Sequence, residues 1–148
     1  MKVSLETVPC AEPEIIIRCE QIDAEISALL SYISSQQQRL QVSKDGVITF
    51  LLPADILYAE CVENAVFVYS ATEVYQTRLS LATIAENFAG CGYFRCSKSM
   101  IVNLHGVTTL KCCSNGRILA TLSNHEQLLI SRFYARQLRD KLKGGYSL

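Results

Sequence analysis

A chain of 148 residues, 49% hydrophobic and 19% charged, is long enough to bury a core and too apolar to stay disordered. Its formal charge is zero, but the signs are segregated. Residues 1–35 hold Lys2 and Arg18 against six acids, net −4, whereas residues 95–148 hold nine cations against Glu126 and Asp140, net +7. Overall neutrality argues against a nucleic-acid partner, and the basic C-terminal third argues for one. The longest apolar candidate, VITFLLPADILYA (47–59), is broken by Pro53 and Asp55, so no stretch reaches membrane length. MKVSLETVPCAEPE at the start lacks the apolar segment of a secretory signal, so a cytoplasmic protein is expected.

In chain order, EIIIRCE (14–20) is a short β-rich run. From Gln21 to about Ser34 the apolar residues fall at Ile22, Ile26, Leu29, Leu30 and Ile33, the spacing of one helical face, with Asp23 and Glu25 near its start. QRLQVS, KDG and VITFLL predict a hairpin turning at Asp45-Gly46, its second strand ended by Pro53. DILYAE, VFVYSAT and EVYQTRL predict further strands, with a turn at Glu63-Asn64. LATIAENFAG predicts a short helix with Leu81, Ile84 and Phe88 on one face and Gly90 as its stop. VTTLKCC, Asn115-Gly116, RILATL and EQLLIS predict another hairpin and strand. SRFYARQLRDKLKGG predicts a terminal helix with Tyr134, Leu138 and Leu142 inward, Arg136, Arg139 and Lys141 outward, and Gly144 as the stop. The class is mainly β with flanking helices.

One stretch changes character halfway. FRCSKSMIVNL (94–104) begins as a polar knot, Arg95 to Ser99, and continues as an apolar run that feeds a core. An enzymatic use of the knot fails on geometry, because adjacent Ser and Lys in an extended chain point to opposite faces. No Gly-rich phosphate loop occurs, and no catalytic residue is assigned. The seven cysteines form no CxxC pair and have no ligand-like spacing to His105 or His125, so neither metal nor cofactor is expected. Nucleic acid fits better. Glu63-Asn64, Arg95 to Ser99, and Ser131-Arg132 all sit at turns or ends and carry groups suited to phosphates and base edges.

At these residues the chain resembles the LytTR DNA-binding domain, a bacterial transcription-regulator module. The likeness lies in the order and spacing of DILYAE, VFVYSA, LSLATIAENF, FRCSKSMIVNLHGV and LATLSNHEQLLISRFYARQL, from about residue 50 to 143. The resemblance implies an elongated fold of about ten β-strands whose loops enter successive DNA major grooves. It also implies a sequence-specific transcriptional regulator without enzyme activity. Carried over, the contact after the first strand falls near Asn64, the central loop contact on Lys98, and the arginine opening the last segment on Arg132. Arg95 and Ser99 match the family's Arg and Ser. Many members have His where Ser97 stands, a departure that bears on contacts credited to that imidazole. Arg136 and Arg139 complete the expected DNA-binding set.

The expected domains are an acidic β-α extension over 1–45 and the DNA-binding domain over 46–148. The leader is too short for a doubly wound receiver, so a receiver phosphoaspartate is not expected as the switch. Duplex DNA is the expected partner. A homodimer on repeated half-sites stays open, as does a membrane-protein or other regulatory partner held by the N-terminal helix. The alternative function is a protein-interaction module that has lost DNA binding. Individual residues have alternatives too. Arg95 either contacts DNA or pairs with Glu60 or Glu63, and Ser99 either contacts DNA or ties the loop backbone. Asn103 and Tyr134 read as structural, and Cys96 as a plain small residue rather than a reactive thiol.

Overall fold

The computed structural model of the chain describes residues 1–11 and 13–143, without the side chains of residues 35–37. Ten strands and three α-helices fill it. Helix α1 (Ala24–Gln37) is capped by Asp23, whose Oδ1 accepts the Ile26 N–H at 2.9 Å. It starts later and runs further than its apolar spacing predicts. β1 (Leu40–Lys44) and β2 (Val47–Leu51) follow, then β3 (Ile56–Val62), β4 (Ala65–Ser70), β5 (Val74–Thr77) and α2 (Leu81–Asn87). β6 (Tyr93–Ser97), β7 (Met100–Asn103), β8 (Val107–Cys112), β9 (Ile118–Leu122), β10 (Gln127–Ile130) and α3 (Arg132–Lys143) complete the order.

Turn chemistry sets the registers. Asp45 and Gly46 both take positive φ (51° and 80°), as do Glu63 and Asn64 (50° and 64°), so the β1–β2 and β3–β4 loops are two-residue turns whose twist matches their strands. The β6–β7 loop, Lys98-Ser99, is different: neither residue is left-handed, and a bulge between Arg95 and Ser97 supplies the extra twist. A seven-stranded sheet results, in the order β2-β1-β5-β4-β3-β7-β6, beside a three-stranded sheet in the order β10-β9-β8.

Two cores lie on opposite faces of the larger sheet. Leu40, Val42, Val68 and Ile101 pack with Leu81 and Ile84 of α2 and with Phe88, which caps it. Phe94, Cys96, Val102 and Leu104 pack with Ile118, Ala120 and Ile130 of the small sheet and with Ala135 and Leu138 of α3. Alternation along β7 sends Ile101 into the first core and Val102 into the second, which is why MIVNL is apolar on both sides. Asn103, 3% exposed, is a structural tie. Its amide donates to the Ile56 carbonyl at 3.0 Å, and its oxygen accepts the His105 N–H at 3.0 Å.

Several expectations are corrected. Residues 14–20 form no strand, and apart from Ile17 they are exposed; a lone β-rich run with no neighbour to complete its ladder stays irregular. The inward face of α1 is Ile26, Leu29 and Ile33, whereas Ile22 and Leu30 face outward. Gly90 does not stop α2, which ends at Asn87; the left-handed residue after it is Gly92 (φ 82°). Gly90 serves close approach instead, because a Cβ there would sit 2.9 Å from the carbonyl carbon of Ser31, where α1 rests on the 89–91 turn. In α3, Leu138 is buried and Tyr134 partly so, but Leu142 is 36% exposed and Ala135 takes the inward place. Gly144, the expected stop, lies outside the described residues. The expected boundary after residue 45 falls inside the β1–β2 hairpin, where Lys44 faces Val47, and β1 also pairs with β5.

Candidate nucleic-acid interface

Sheet register gathers residues that lie far apart in the chain. β3 runs antiparallel to β7 with Glu60 opposite Met100, and the Cys61 N–H donates to the Ser99 carbonyl at 2.8 Å. The turn carrying Asn64 therefore lies beside the turn carrying Lys98. On the other side, the Ser131 N–H donates to the Cys96 carbonyl at 3.0 Å, which fixes the start of α3 against the end of β6. Lys98 thus sits between Asn64 and Arg132.

The central loop is braced from within. Arg95 is partly buried and spends its guanidinium on the loop, donating Nε to the Ser97 carbonyl at 3.0 Å and Nη2 to the Lys98 carbonyl at 2.5 Å. Neither Glu60 nor Glu63 takes it, since among the described residues Lys44–Glu73 is the only ion pair. Ser97 Oγ accepts the Ser99 N–H at 3.2 Å and lies 3.4 Å from Ser99 Oγ, so these hydroxyls tie the turn to itself. Lys98 is left exposed, with no carboxylate partner among the described residues.

Arg132 is also positioned by backbone. Its Nε donates to the Asn115 carbonyl at 3.1 Å, in the β8–β9 turn, and Arg139 Nη2 reaches the neighbouring Gly116 carbonyl at 3.5 Å. The spacing of seven puts both arginines on one side of α3, and Arg136, exposed, lies one turn from Arg132. Gly116 is left-handed (φ 81°), and a Cβ on it would press within 3.2 Å of Arg132 Cγ.

Cys96, inside the knot's sequence, points away from this surface. It is fully buried with its thiol toward the Met100 carbonyl at 3.5 Å, and burial pushes that thiol up to about 12. It is a core residue and no thiolate nucleophile near neutral pH.

All eight expected site residues belong to the two neighbouring turns, to β6 or to α3, but their work divides. Lys98, Arg132, Arg136 and Asn64 are exposed, whereas Arg95, Ser97 and Ser99 hold the loop and Arg139 reaches back to a turn. Sequence reasoning missed Arg78. It follows β5, and because Thr77 faces Val66, it lies level with the start of β4 beside the Asn64 turn. Reading EVYQTRL as the return strand of a hairpin would have put it there.

The LytTr DNA-binding domain family matches residues 46–143. Over 111 residues the chain is 22% identical to the sensory transduction protein LytT of Bacillus anthracis, covering 75% of this chain and 45% of that protein. The transcriptional regulatory protein YpdB of Escherichia coli (strain K12) is 24% identical over 108 residues, covering 72% and 44%. The chain therefore spans less than half the length of these curated relatives. Among solved structures, the LytTr DNA-binding domain of a response regulator from Bacillus cereus superposes with a TM-score of 0.68 at 18% identity, covering 72% of this chain and 97% of that one.

Proposed function

The chain belongs to the LytTr DNA-binding domain family, and from that membership we propose that it is a sequence-specific transcriptional regulator. Its loops enter successive major grooves of duplex DNA. Lys98 reads base edges from the central turn, with Asn64 to one side and Arg132 to the other, while Arg136 and Arg139 neutralise phosphates along α3. One observation carries the reading: Lys98 is held between these two neighbours by backbone hydrogen bonds at Ser99 and Cys96, and no carboxylate of the described residues neutralises it. A cation on a braced loop keeps its charge for a ligand and loses little freedom on binding. No catalytic step is assigned to the site.

Fluorescence anisotropy with a mixed-sequence duplex tests this across salt. If roughly four to six phosphates are neutralised, log affinity falls against log salt with a slope of about −4 to −5. A flat response between about 50 and 200 mM removes the electrostatic reading and favours a protein-interaction module. Selection from a random duplex library then identifies the operator. We also propose that the part of the expected 1–45 extension ahead of β1, with α1 on the 89–91 turn, acts in control or dimerisation rather than in DNA contact.

A further inference from the structure

Beside the β3–β4 and β6–β7 turns lies an open cleft of about 610 Å³. Its walls carry Arg78, Arg95 and Lys98 together with Asn64, and no carboxylate among the described residues. Arg95 is already committed to the carbonyls of Ser97 and Lys98. Arg78 and Lys98 remain, both exposed and neither ion-paired within the described residues.

Arg78 is also held still at its backbone. Thr77, 7% exposed, donates Oγ1 to the Gln41 carbonyl at 3.0 Å and accepts the Leu79 N–H at 3.3 Å. Ser80 caps α2 by accepting the Thr83 N–H at 3.1 Å. A single arginine therefore stands between anchored neighbours, with a fixed Cα and an uncommitted guanidinium. Two cations facing one cleft without an acid repel each other, and a bound anion relieves that repulsion. Guanidinium suits phosphate in particular, since its planar fork matches two phosphate oxygens at once.

The geometry points to this cleft as a seat for one backbone phosphodiester of the duplex, gripped by Arg78 beside the turn that carries Lys98. Arg78 is then a contact residue that the sequence motifs do not indicate. The inference rests on the DNA-binding reading and deepens it: while the turns face base edges, the cleft beside them takes the strand that carries those bases. Free phosphate offers the same chemistry, so the test separates the two sources.

Arg78→Gln and Arg78→Lys are compared with the unaltered protein on a mixed-sequence duplex, and all three are melted in phosphate and in chloride at matched ionic strength. Arg78→Gln should weaken duplex binding and make the salt slope shallower by about 0.9, so that the affinity lost between about 50 and 200 mM shrinks roughly 3.5-fold. Arg78→Lys should keep the slope with intermediate affinity, and phosphate should shift no melting temperature. An unchanged affinity and slope in Arg78→Gln overturns the proposal, as does a phosphate-specific stabilisation lost in Arg78→Gln without any change in duplex binding. If Arg78→Gln melts well below the unaltered protein, the slope of Arg78→Lys decides: a slope shallower by the same amount also overturns it. Failure of the unaltered protein to bind any duplex strikes the DNA-binding reading itself.

Discussion

Arg132 Nε donates to the backbone carbonyl of Asn115 at 3.1 Å, so the first residue of α3 is positioned by a turn seventeen residues earlier in the chain. The turn in question contains Gly116, whose left-handed backbone disfavours a side chain and whose Cβ, if added, would crowd Arg132 Cγ at 3.2 Å. Gly116→Ala should therefore cost about 1–2 kcal/mol of stability from the backbone alone. It should also displace Arg132 and weaken operator binding. Thermal melting and anisotropy read the two effects separately, and retained affinity in a destabilised variant would show that the brace does not matter to binding.

Arg95 and Lys98 should behave differently although they are three residues apart. Lys98→Ala removes an exposed side chain, so its melting should be nearly unchanged while discrimination between operator and mixed duplex falls by about 1–3 kcal/mol. Arg95→Ala releases the Ser97 and Lys98 carbonyls and should lower both stability and affinity. Arg95→Lys should not restore either, because a single ammonium lacks the fork that holds two carbonyls. Hydrogen exchange at the Ser99 amide reports the loosened loop.

Arg139→Ala should reduce operator and mixed-duplex affinity by a similar factor, and make the salt slope shallower by about one if Arg139 meets phosphate. Its contact with the Gly116 carbonyl is long, at 3.5 Å, so the stability loss should be small. A selective loss on the operator alone would assign Arg139 to base reading instead.

The alkaline limb of stability should reflect buried hydroxyl and thiol groups. Burial pushes the Cys96 thiol up to about 12 from a reference of 9.0, and it raises the Tyr58 and Tyr93 phenols as well. Each group is neutral in the folded chain, so its contribution is complete below its unfolded value. For Cys96 that contribution is lost as pH rises from about 9 to 12. Denaturant midpoints over that range should fall, and Cys96→Ala should flatten part of the decline. Iodoacetamide in native buffer should modify exposed Cys10, Cys19 and Cys112 before Cys96.

Truncation should separate the leader from the fold. Removing residues 1–20, which form no helix or strand at any described position, should leave melting intact. Removing 1–45 also deletes β1, with buried Leu40 and Val42, and strips β5 of one of its two neighbours. That fragment should be insoluble or unfolded. Gly90→Ala gives a milder probe, since it should lift α1 from the 89–91 turn and raise proteolysis of residues 24–37 while the sheets hold.

Local signals carried most of the fold. Asp45-Gly46 and Glu63-Asn64 announce their turns because few residue pairs tolerate consecutive positive φ, and the unbroken apolar run Met100-Ile101-Val102 declares a strand buried on both faces. Non-local facts were not legible. EIIIRCE has the composition of a strand but no neighbour, and composition does not show whether a ladder partner exists. Which face of α1 turns inward depended on the 89–91 turn, more than fifty residues away in sequence. The same holds at the site: Lys98 and Arg132 were legible as exposed cations at chain turns. That Arg95 would turn back onto the carbonyls of its own loop depends on the bulge in β6, and that Arg78 would join the cleft follows only from pairings across the sheet.

The backbone at Asn64 has a consequence for how such a protein changes its target. With φ at 64°, the position accepts Asn, Asp or Gly at little cost and resists β-branched or bulky residues. Among these only Asn offers both a donor and an acceptor to a base edge, so the alphabet available there is nearly closed. Lys98 is not left-handed, and its loop is fastened by Arg95 and by serine hydroxyls rather than by its own side chain. A combinatorial library aimed at a new operator should therefore randomise position 98 and leave 64 fixed, since diversity at 64 would be spent mostly on chains with a strained hairpin.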